Sequence, residues 1–223
     1  MSIRENINQI KATLPDHVSL VAVSKTKPLD DIMEAYTAGH RDFGENKIQE
    51  MVEKQEQLPR DIRWHMIGHV QRNKVKYMAP FVHLIHGVDN MKLLREIDKQ
   101  AKKHDRIIQC LLQIKIAAEE SKFGMSAEQA ALILRSDETA QLDHIAIVGL
   151  MGMATFTENM EQVKQEFTKL KTIFDELKAL QTPNCNLQTI SMGMSGDYQL
   201  AVACGSTMVR VGSSIFGERN KNN

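Results

Sequence analysis

The chain has 223 residues, of which 42% are hydrophobic and 25% are charged. This composition is that of a globular protein and excludes the disordered, collagen-like and membrane classes. Lysine plus arginine and aspartate plus glutamate number 28 each, so the chain has no net positive charge with which to bind a nucleic-acid backbone. We expect no nucleic-acid partner, and a single domain over residues 1–223, because barrels of this size often form one unit.

The first 17 residues predict a helix followed by a linker, since Ile3, Ile7 and Ile10 recur at helical spacing. The segment lacks the continuous apolar stretch that a signal peptide or a membrane span needs. The three cysteines are widely spaced, without a CxxC pair, and we expect them to be reduced and buried. These features predict a cytoplasmic protein with no membrane partner, and residues 218–223 predict a polar tail.

Short β-branched runs alternate with longer amphipathic runs through the rest of the chain, which favours a parallel sheet covered by helices. The predicted strands are residues 19–24, 40–43, 63–66, 84–85, 107–114, 144–150, 187–190 and 208–211. The predicted helices between them are residues 29–38, 46–55, 73–78, 91–103, 127–135, 160–180 and 197–204. Eight such units predict an α/β fold, a single (β/α)8 TIM-type barrel with an extra N-terminal helix.

An open, doubly wound sheet would show the same alternation of strands and helices. Such a sheet usually carries a Gly-rich turn after its first strand, whereas here the first strand runs into SKTKP. Runs such as VSLVAVS and HIAIVGL are apolar almost throughout, as expected for strands covered on both faces. The barrel is therefore the favoured architecture.

Lys25 follows the first predicted strand, just before Pro28 begins a helix. Barrel active sites lie at the carboxyl ends of the strands. A partly desolvated amine there has a lowered pKa, which leaves free base to attack an aldehyde and form a Schiff base. A solvated rim lysine is the alternative, and position alone does not distinguish the two.

Two loops have the composition of a phosphate site, SMGMSGD after the seventh strand and VRVGSS around the end of the eighth. Barrels often bind phosphate in the loops that follow these two strands. The hydroxyls of Ser191, Ser195 and Ser213 and the amides of Gly212 and Ser213 are the candidate donors. Each loop taken alone could equally be an ordinary capped turn.

Seven motifs occur in order through most of the chain: AVSKTKP, FGEN, WHMIGHVQRNK, EESKFGM, GLM, SMGMS and GSTMVRVG. Together they resemble the pyridoxal phosphate homeostasis protein family, which is similar to the N-terminal barrel of the fold-type III alanine racemases. The resemblance implies that the cofactor is pyridoxal 5'-phosphate, held as a Schiff base on Lys25. It also implies that Ser191, Ser195, Gly212 and Ser213 bind the phosphate.

Two further residues are candidate contacts to the cofactor ring. Arg210 matches the arginine that faces the pyridine nitrogen, where a permanent charge disfavours protonation of the ring and leaves it a weaker electron sink. Without the resemblance, an ion pair with a barrel carboxylate would explain it as well. Asn46, in FGEN, is a candidate contact to the ring hydroxyl or the Schiff base, or else the N-cap of the next helix.

Other residues invite interpretations that we do not favour. His65 and His69 in HMIGH have the spacing of a metal pair, but they span a strand end and a loop, so we expect no metal. One of them could lie beneath the cofactor ring. The chain departs from the family pattern at Lys115, where an asparagine is usual, and at Ser213, where a threonine is usual. Lys115 would add a second amine if it faced the mouth.

The resemblance implies a cofactor-binding protein that stores, buffers or delivers pyridoxal phosphate in vitamin B6 homeostasis, without efficient turnover. Its expected partners are the cofactor and pyridoxal-dependent apoenzymes, and we expect a monomer. The alternative is an amino-acid racemase or another fold-type III enzyme, but racemisation needs acid/base groups on both faces of the substrate, and we expect no second β domain to supply one. A hydrolase or aldolase using Lys25 alone would leave both phosphate-like loops unexplained.

Overall fold

The computed structural model describes residues 2–119, 123–180 and 182–218. Its strands are β1 Ser19–Val23, β2 Asp42–Glu45, β3 Arg63–Met66, β4 Leu84–Val88, β5 Ile108–Gln113, β6 Ile145–Met151, β7 Cys185–Ser191 and β8 Met208–Val211. Its helices are α1 Ile3–Thr13, α2 Leu29–Thr37, α3 Ile48–Gln57, α4 Val75–Met78, α5 Met91–Lys103, α6 Ala127–Arg135, α7 Asp137–Ala140, α8 Met160–Lys178, α9 Tyr198–Ala203 and α10 Ser213–Phe216, with a 3-10 turn at Arg72–Lys74 before α4.

The eight strands pair in sequence order, all parallel, and close into a barrel. Closure is made by β1 and β8, whose register runs from Ser19 opposite Met208 to Ala22 opposite Val211. The predicted (β/α)8 barrel is confirmed, and the open sheet is excluded because its edge strands would lack this pairing. All eight strand carboxyl ends consequently meet at one mouth.

The barrel has two apolar regions, one outside the sheet and one within it. The large core packs the helices against outward-facing side chains such as Phe43 and Trp64. A separate buried cluster consists of Leu84, Leu111 and Met151. Because successive strand residues point to opposite faces, this second cluster fills the barrel interior, which is therefore a packed core below the mouth.

The second strand begins two residues later than predicted because the end of α2 uses the intervening chain. Gly39 has a φ of 90°, and its amide donates to the Tyr36 carbonyl while the amide of His40 donates to Ala35. This is the Schellman termination of a helix. His40 therefore belongs to the helix end, and the strand is Asp42–Glu45.

Most other predicted elements agree with the structure to within a few residues at each end. The fourth strand is longer than predicted, and the four-residue helices α7 and α10 were not predicted. The N-terminal helix is confirmed at Ile3–Thr13, with a capping box between Ser2 and Glu5. Of the predicted polar tail, only Glu218 lies within the described residues.

The three cysteines are free thiols, two of them buried and Cys204 half-buried. This agrees with the prediction that they are reduced, although one is not fully buried. Within the described ranges no helix has both the length and the apolar character that crossing a bilayer requires.

Candidate functional site

A cavity of about 580 Å³ opens at the carboxyl ends of the strands. Its size lies within the range of small-molecule sites. Of the seven residues predicted from the sequence as ligand contacts, six line it: Lys25, Asn46, Ser195, Arg210, Gly212 and Ser213. The fold thus brings together residues that are up to 188 positions apart in the chain.

Lys25 lies two residues beyond β1, in a segment whose backbone is bound by two side chains of α3, Lys54 and Glu50. The Nζ atom of Lys54 donates to the Ser24 carbonyl at 2.7 Å, and a carboxylate oxygen of Glu50 accepts from the Thr26 amide at 2.5 Å. Thr26 itself has a φ of 64°, the left-handed region. Both neighbours of Lys25 are therefore held by α3.

Glu45 completes this support. Its Oε1 atom accepts from the Ser24 hydroxyl at 2.5 Å and from Lys54 Nζ at 2.8 Å. Burial raises the pKa of Glu45 to about 7, against the opposing effect of the Lys54 charge. Its Oε2 atom has no hydrogen-bond partner among the described residues. The supporting roles of Glu45, Glu50 and Lys54 were not predicted from the sequence.

The loop after β7 folds tightly at Gly193, which has a φ of 101°. A Cβ there would lie 2.7 Å from the Cβ of Ala201, so only glycine fits. The Ser195 hydroxyl then accepts a hydrogen bond from the Gly212 amide at 3.1 Å. This bond joins the loops after β7 and β8, and both residues line the cavity.

Arg210 is only 3% exposed. Its Nη1 atom donates to the Ser191 hydroxyl at 2.5 Å, and its Nη2 atom donates to the Gly152 carbonyl at 3.2 Å. Burial lowers the pKa of Arg210 to about 10, with a smaller opposing effect from Asp197, so the guanidinium remains charged at neutral pH. No carboxylate of the described chain forms an ion pair with Arg210, so the predicted alternative of a barrel ion pair does not explain it.

Ser191 is the one predicted contact that the structure does not bring to the cavity. The residue ends β7 and is fully buried. Its hydroxyl is occupied by Arg210 on one side and by the Nδ1 atom of His86, at 2.9 Å, on the other. Ser191 therefore contacts a cavity residue without lining the cavity.

A row of polar side chains, buried except for Asp42 at its end, continues from Ser191 toward the amino ends of the strands. His86 Nε2 lies 2.9 Å from His65 Nδ1, and His65 Nε2 lies 3.0 Å from Asp42 Oδ1. Asp42 also accepts two hydrogen bonds from Arg63, at 2.5 and 2.7 Å. Burial alone would raise the pKa of Asp42, but the bonds from Arg63 and His65 hold it well below its usual range.

The structure separates His65 from His69. His65 is buried in the barrel interior, whereas His69 lines the cavity with its ring stacked on Phe123, the two centroids 4.2 Å apart. Asp42, His65 and His83 offer ligand atoms within 4.8 Å of one another. Both oxygens of Asp42 and both nitrogens of His65 already have partners, so this cluster is internally satisfied.

Asn46 is not the N-cap of α3, because the cap is Lys47 and the helix begins at Ile48. The Asn46 backbone is packed against Gly68, where a Cβ would lie 2.3 Å from the Asn46 carbonyl oxygen. This close approach holds Asn46 at the end of β2, facing the cavity. Lys115 is half-buried and not among the lining residues.

Several lining residues were missed by the sequence analysis, among them Lys27, Gln113, Phe123 and Phe156. Gln113 had a usable signal, since it is a polar residue ending an apolar strand and so faces the mouth. The two phenylalanines had none, because aromatic residues in loops are not distinctive. Met153 lines the cavity, but Met151 belongs to the interior apolar cluster.

The class defined by this barrel and its cavity is that of the alanine racemase N-terminal domain, whose family model matches residues 1–220. Comparison with curated relatives identifies the family within this class. The protein from Pasteurella multocida is 36% identical over 235 residues, covering 99% of both chains. That from Synechocystis is 40% identical over 214 residues, covering 95% of this chain and 96% of the relative. Both are named pyridoxal phosphate homeostasis protein, and the chain belongs to this family.

Solved structures give the same placement. PipY of Synechococcus elongatus is 36% identical, with a TM-score of 0.90 for its structure without PLP and 0.88 for its structure with PLP bound. Each comparison covers 97% of this chain and 100% of PipY. Alanine racemase of Clostridium difficile is 14% identical, with a TM-score of 0.79 over 99% of this chain and 60% of the racemase. That likeness shows a shared fold.

Proposed function

We propose that this protein binds pyridoxal 5'-phosphate in the mouth cavity, joined to Lys25 as a Schiff base, and serves vitamin B6 homeostasis by storing, buffering or delivering it. One observation carries the proposal. A single cavity brings Lys25 from the β1 loop together with Arg210 and the joined loops around Ser195 and Gly212. The PLP-bound structure of the PipY homologue supports it.

The donors of the cavity fit a phosphate. The Ser195 hydroxyl and the Gly212 amide already meet across 3.1 Å, and Ser213 is exposed beside them. Hydroxyls and backbone amides arranged in this way are common phosphate ligands. We assign the phosphate to these three residues. Ser191, predicted as a fourth ligand, is committed to Arg210 and His86 and is not assigned to it.

The remaining residues orient the ring. Arg210 presents a permanent charge to the ring nitrogen and so disfavours its protonation. Asn46 offers an amide to the ring hydroxyl or to the linkage at Lys25. When bound, the cofactor supplies an aldehyde for attachment and an electron sink. Because Arg210 weakens that sink, we propose retention and transfer to pyridoxal-dependent apoenzymes, by a monomer, without efficient turnover.

Replacement of Lys25 tests the linkage. We expect Lys25→Ala to abolish the visible absorbance of the protein-bound cofactor, because no amine remains in place to hold the aldehyde. The free energy of unfolding of the Lys25→Ala apoprotein should lie within about 0.5 kcal/mol of the parent value, as for most surface substitutions. Borohydride reduction and peptide mapping of the parent should place the pyridoxyl group on Lys25. Lys115→Ala is the matched control and should keep the absorbance; an unchanged Lys25→Ala spectrum would move the linkage elsewhere.

Turnover is tested on the loaded protein. It is incubated with L-amino acids, and separately with a pyridoxal-dependent apoenzyme, while enantiomer composition and regained activity are followed. We expect regained activity and only trace racemisation. Racemisation at ordinary enzymatic rates, on the order of 1 to 10³ per second, would replace this proposal with a racemase.

A further inference from the structure

Four buried side chains and the half-buried Asp42 form one continuous hydrogen-bonded row through the barrel, which we name the polar relay. The row runs Arg210, Ser191, His86, His65, Asp42, with successive contacts of 2.5, 2.9, 2.9 and 3.0 Å. It connects a cavity residue at the mouth with Asp42, the first residue of β2, near the opposite end. Its members come from five strands, β8, β7, β4, β3 and β2.

The chemistry of its two ends fixes the direction of the relay. An ionised Asp42 can only accept, so His65 donates to it from Nε2. His65 Nδ1 then accepts from His86 Nε2–H, which leaves His86 Nδ1 to accept from the Ser191 hydroxyl. The Ser191 oxygen accepts from Arg210, which can only donate. Every hydrogen bond therefore points from Arg210 toward Asp42.

The reverse arrangement is disfavoured by charge. If His65 carried a second proton, on Nδ1, His86 would accept from it and donate to Ser191. The serine oxygen would then accept from both His86 and Arg210, and its own proton would have no partner in the row. His65 would also become a buried cation, at a desolvation cost that its contact with Asp42 has to offset. Burial lowers the pKa of His86 well below its usual value, so His86 itself is neutral in either arrangement.

We propose that Ser191 and His86 are positioning residues that fix which N–H groups of Arg210 face the bound cofactor, and that His65 sets the tautomer in which His86 accepts from Ser191. This inference rests on the proposed function. Because the Ser191 proton is committed to His86, its oxygen can only accept, and it holds Nη1 of Arg210 while the Gly152 carbonyl holds Nη2. The guanidinium is thereby held in one orientation, with Asp42 at the far end as the final acceptor.

Other charged groups near the relay are accounted for. Asp197 acts on the charge of Arg210. Arg63 binds Asp42, and the His83 ring packs edge-on against His65 with centroids 5.4 Å apart. None of these interrupts the row, since each link already has one donor and one acceptor.

The test uses variants that divide the relay at His86. An asparagine at this position keeps an acceptor where Nδ1 stood, so His86→Asn preserves the Ser191 link. A glutamine reaches the place of Nε2 instead, so His86→Gln preserves the His65 link and loses the acceptor for Ser191. Ser191→Ala removes the hydrogen bonds of the serine hydroxyl to Arg210 and His86 with a small change in side-chain volume. All three are compared with the parent as full-length protein.

Two readouts are followed. In cofactor-loaded protein, we expect Ser191→Ala and His86→Gln to weaken retention about five- to tenfold, as for a lost hydrogen bond. The pH midpoint of the cofactor absorbance should move by about one unit, as for a lost contact to a charged group. His86→Asn should stay near the parent in both. In the apoprotein, nitrogen NMR of the imidazoles should show the Nε2–H tautomer for both His65 and His86.

Parent-like retention and pH midpoint in Ser191→Ala and His86→Gln would overturn the inference. Equal losses in His86→Asn and His86→Gln would overturn it as well, since packing alone would then explain them. An Nδ1–H tautomer at His86 would contradict the direction of the relay even if no variant folds. If the parent failed to bind the cofactor, the proposed function would fail, while the apoprotein tautomers would still test the relay.

Discussion

The two ends of the barrel use their polar side chains differently. Near the amino ends of the strands, Asp42 receives three hydrogen bonds from Arg63 and His65, which occupy both of its carboxylate oxygens. At the mouth, Ser195 and Gly212 share a single bond at the edge of a cavity of about 580 Å³. Groups satisfied by one another contribute to stability, whereas groups facing a cavity are available for binding. Substitutions at the two ends should therefore affect different measurements.

The largest expected effect is at the mouth. Ser195→Ala and Ser213→Ala should each weaken cofactor retention by about 1–3 kcal/mol, because each removes a hydrogen bond to a charged acceptor. Equilibrium dialysis or the absorbance of the bound cofactor measures this loss. Ser214→Ala, at an exposed neighbouring position that does not line the cavity, is the control and should retain the cofactor like the parent.

The same pair tests the phosphate assignment directly. Pyridoxal without its phosphate should be retained more weakly than the phosphate form by the parent, and the serine substitutions should matter little to it. Equal retention of the two ligands by the parent would remove the reason for placing the phosphate between these loops.

A smaller effect is expected at the other end, on stability. Arg63→Met should lower the free energy of unfolding by about 1–2 kcal/mol, because Asp42 loses two charge-assisted bonds, partly offset by the exposure of Arg63. Cofactor retention should not change, since Asp42 still accepts from His65. Chemical denaturation measures the difference. Arg95→Met is the control, because Arg95 is similarly exposed but pairs with a more exposed carboxylate, Glu138, and should cost less.

The Arg63→Met difference should depend on pH in one direction. Arg63 and His65 hold the pKa of Asp42 below the 3.8 of an unperturbed aspartate, so the folded state binds fewer protons. The stability that Asp42 contributes is therefore complete above about pH 4 to 5 and declines as the pH falls below that. The parent and Arg63→Met should converge in acid; divergence there would show that Arg63 acts through something other than Asp42.

The smallest effect concerns the rim. Phe156 lines the cavity edge but is 91% exposed. Phe156→Ala should therefore change the free energy of unfolding by less than about 0.5 kcal/mol. Retention should change equally little, because a side chain left in water excludes little water from the ligand. Leu132→Ala, on the exposed side of α6, is the matched control. A much faster cofactor release in Phe156→Ala alone would add the rim to the binding site.

The barrel and six of the residues that line the cavity could be predicted because they depend on local sequence. Strand runs such as SLVAV are distinct from their surroundings, and a residue following a strand of a parallel barrel must lie at the mouth. That rule alone predicts that Lys25 and Gly212 lie at the mouth. The sequence does not show how deeply a residue near a strand end is buried. Ser191 and Ser195 belong to one motif, yet β7 continues through Ser191, which is buried below the cavity.

Pairings across strands were also beyond prediction. A histidine within an apolar strand, as at His65 and His86, can be recognised as unusual. Its partner depends on the register between strands, which puts His65 opposite Leu84 and so brings His86 near it. The support of the Lys25 segment by Lys54 likewise depends on how α3 packs, since Lys54 resembles any lysine of an amphipathic helix.

Two lysines with access to the same cavity raise a question of chemical selectivity, which the position of Lys27 answers. Its Nζ atom donates to the carbonyls of residues 216, 217 and 218, at 2.8, 3.1 and 3.3 Å. An amine attacks an aldehyde through its nitrogen lone pair, and an ammonium that donates three bonds to carbonyl oxygens has none to offer. Lys27 thus fastens the end of α10 to the first loop and is withdrawn from competition, which agrees with the proposal that an aldehyde reacts at Lys25.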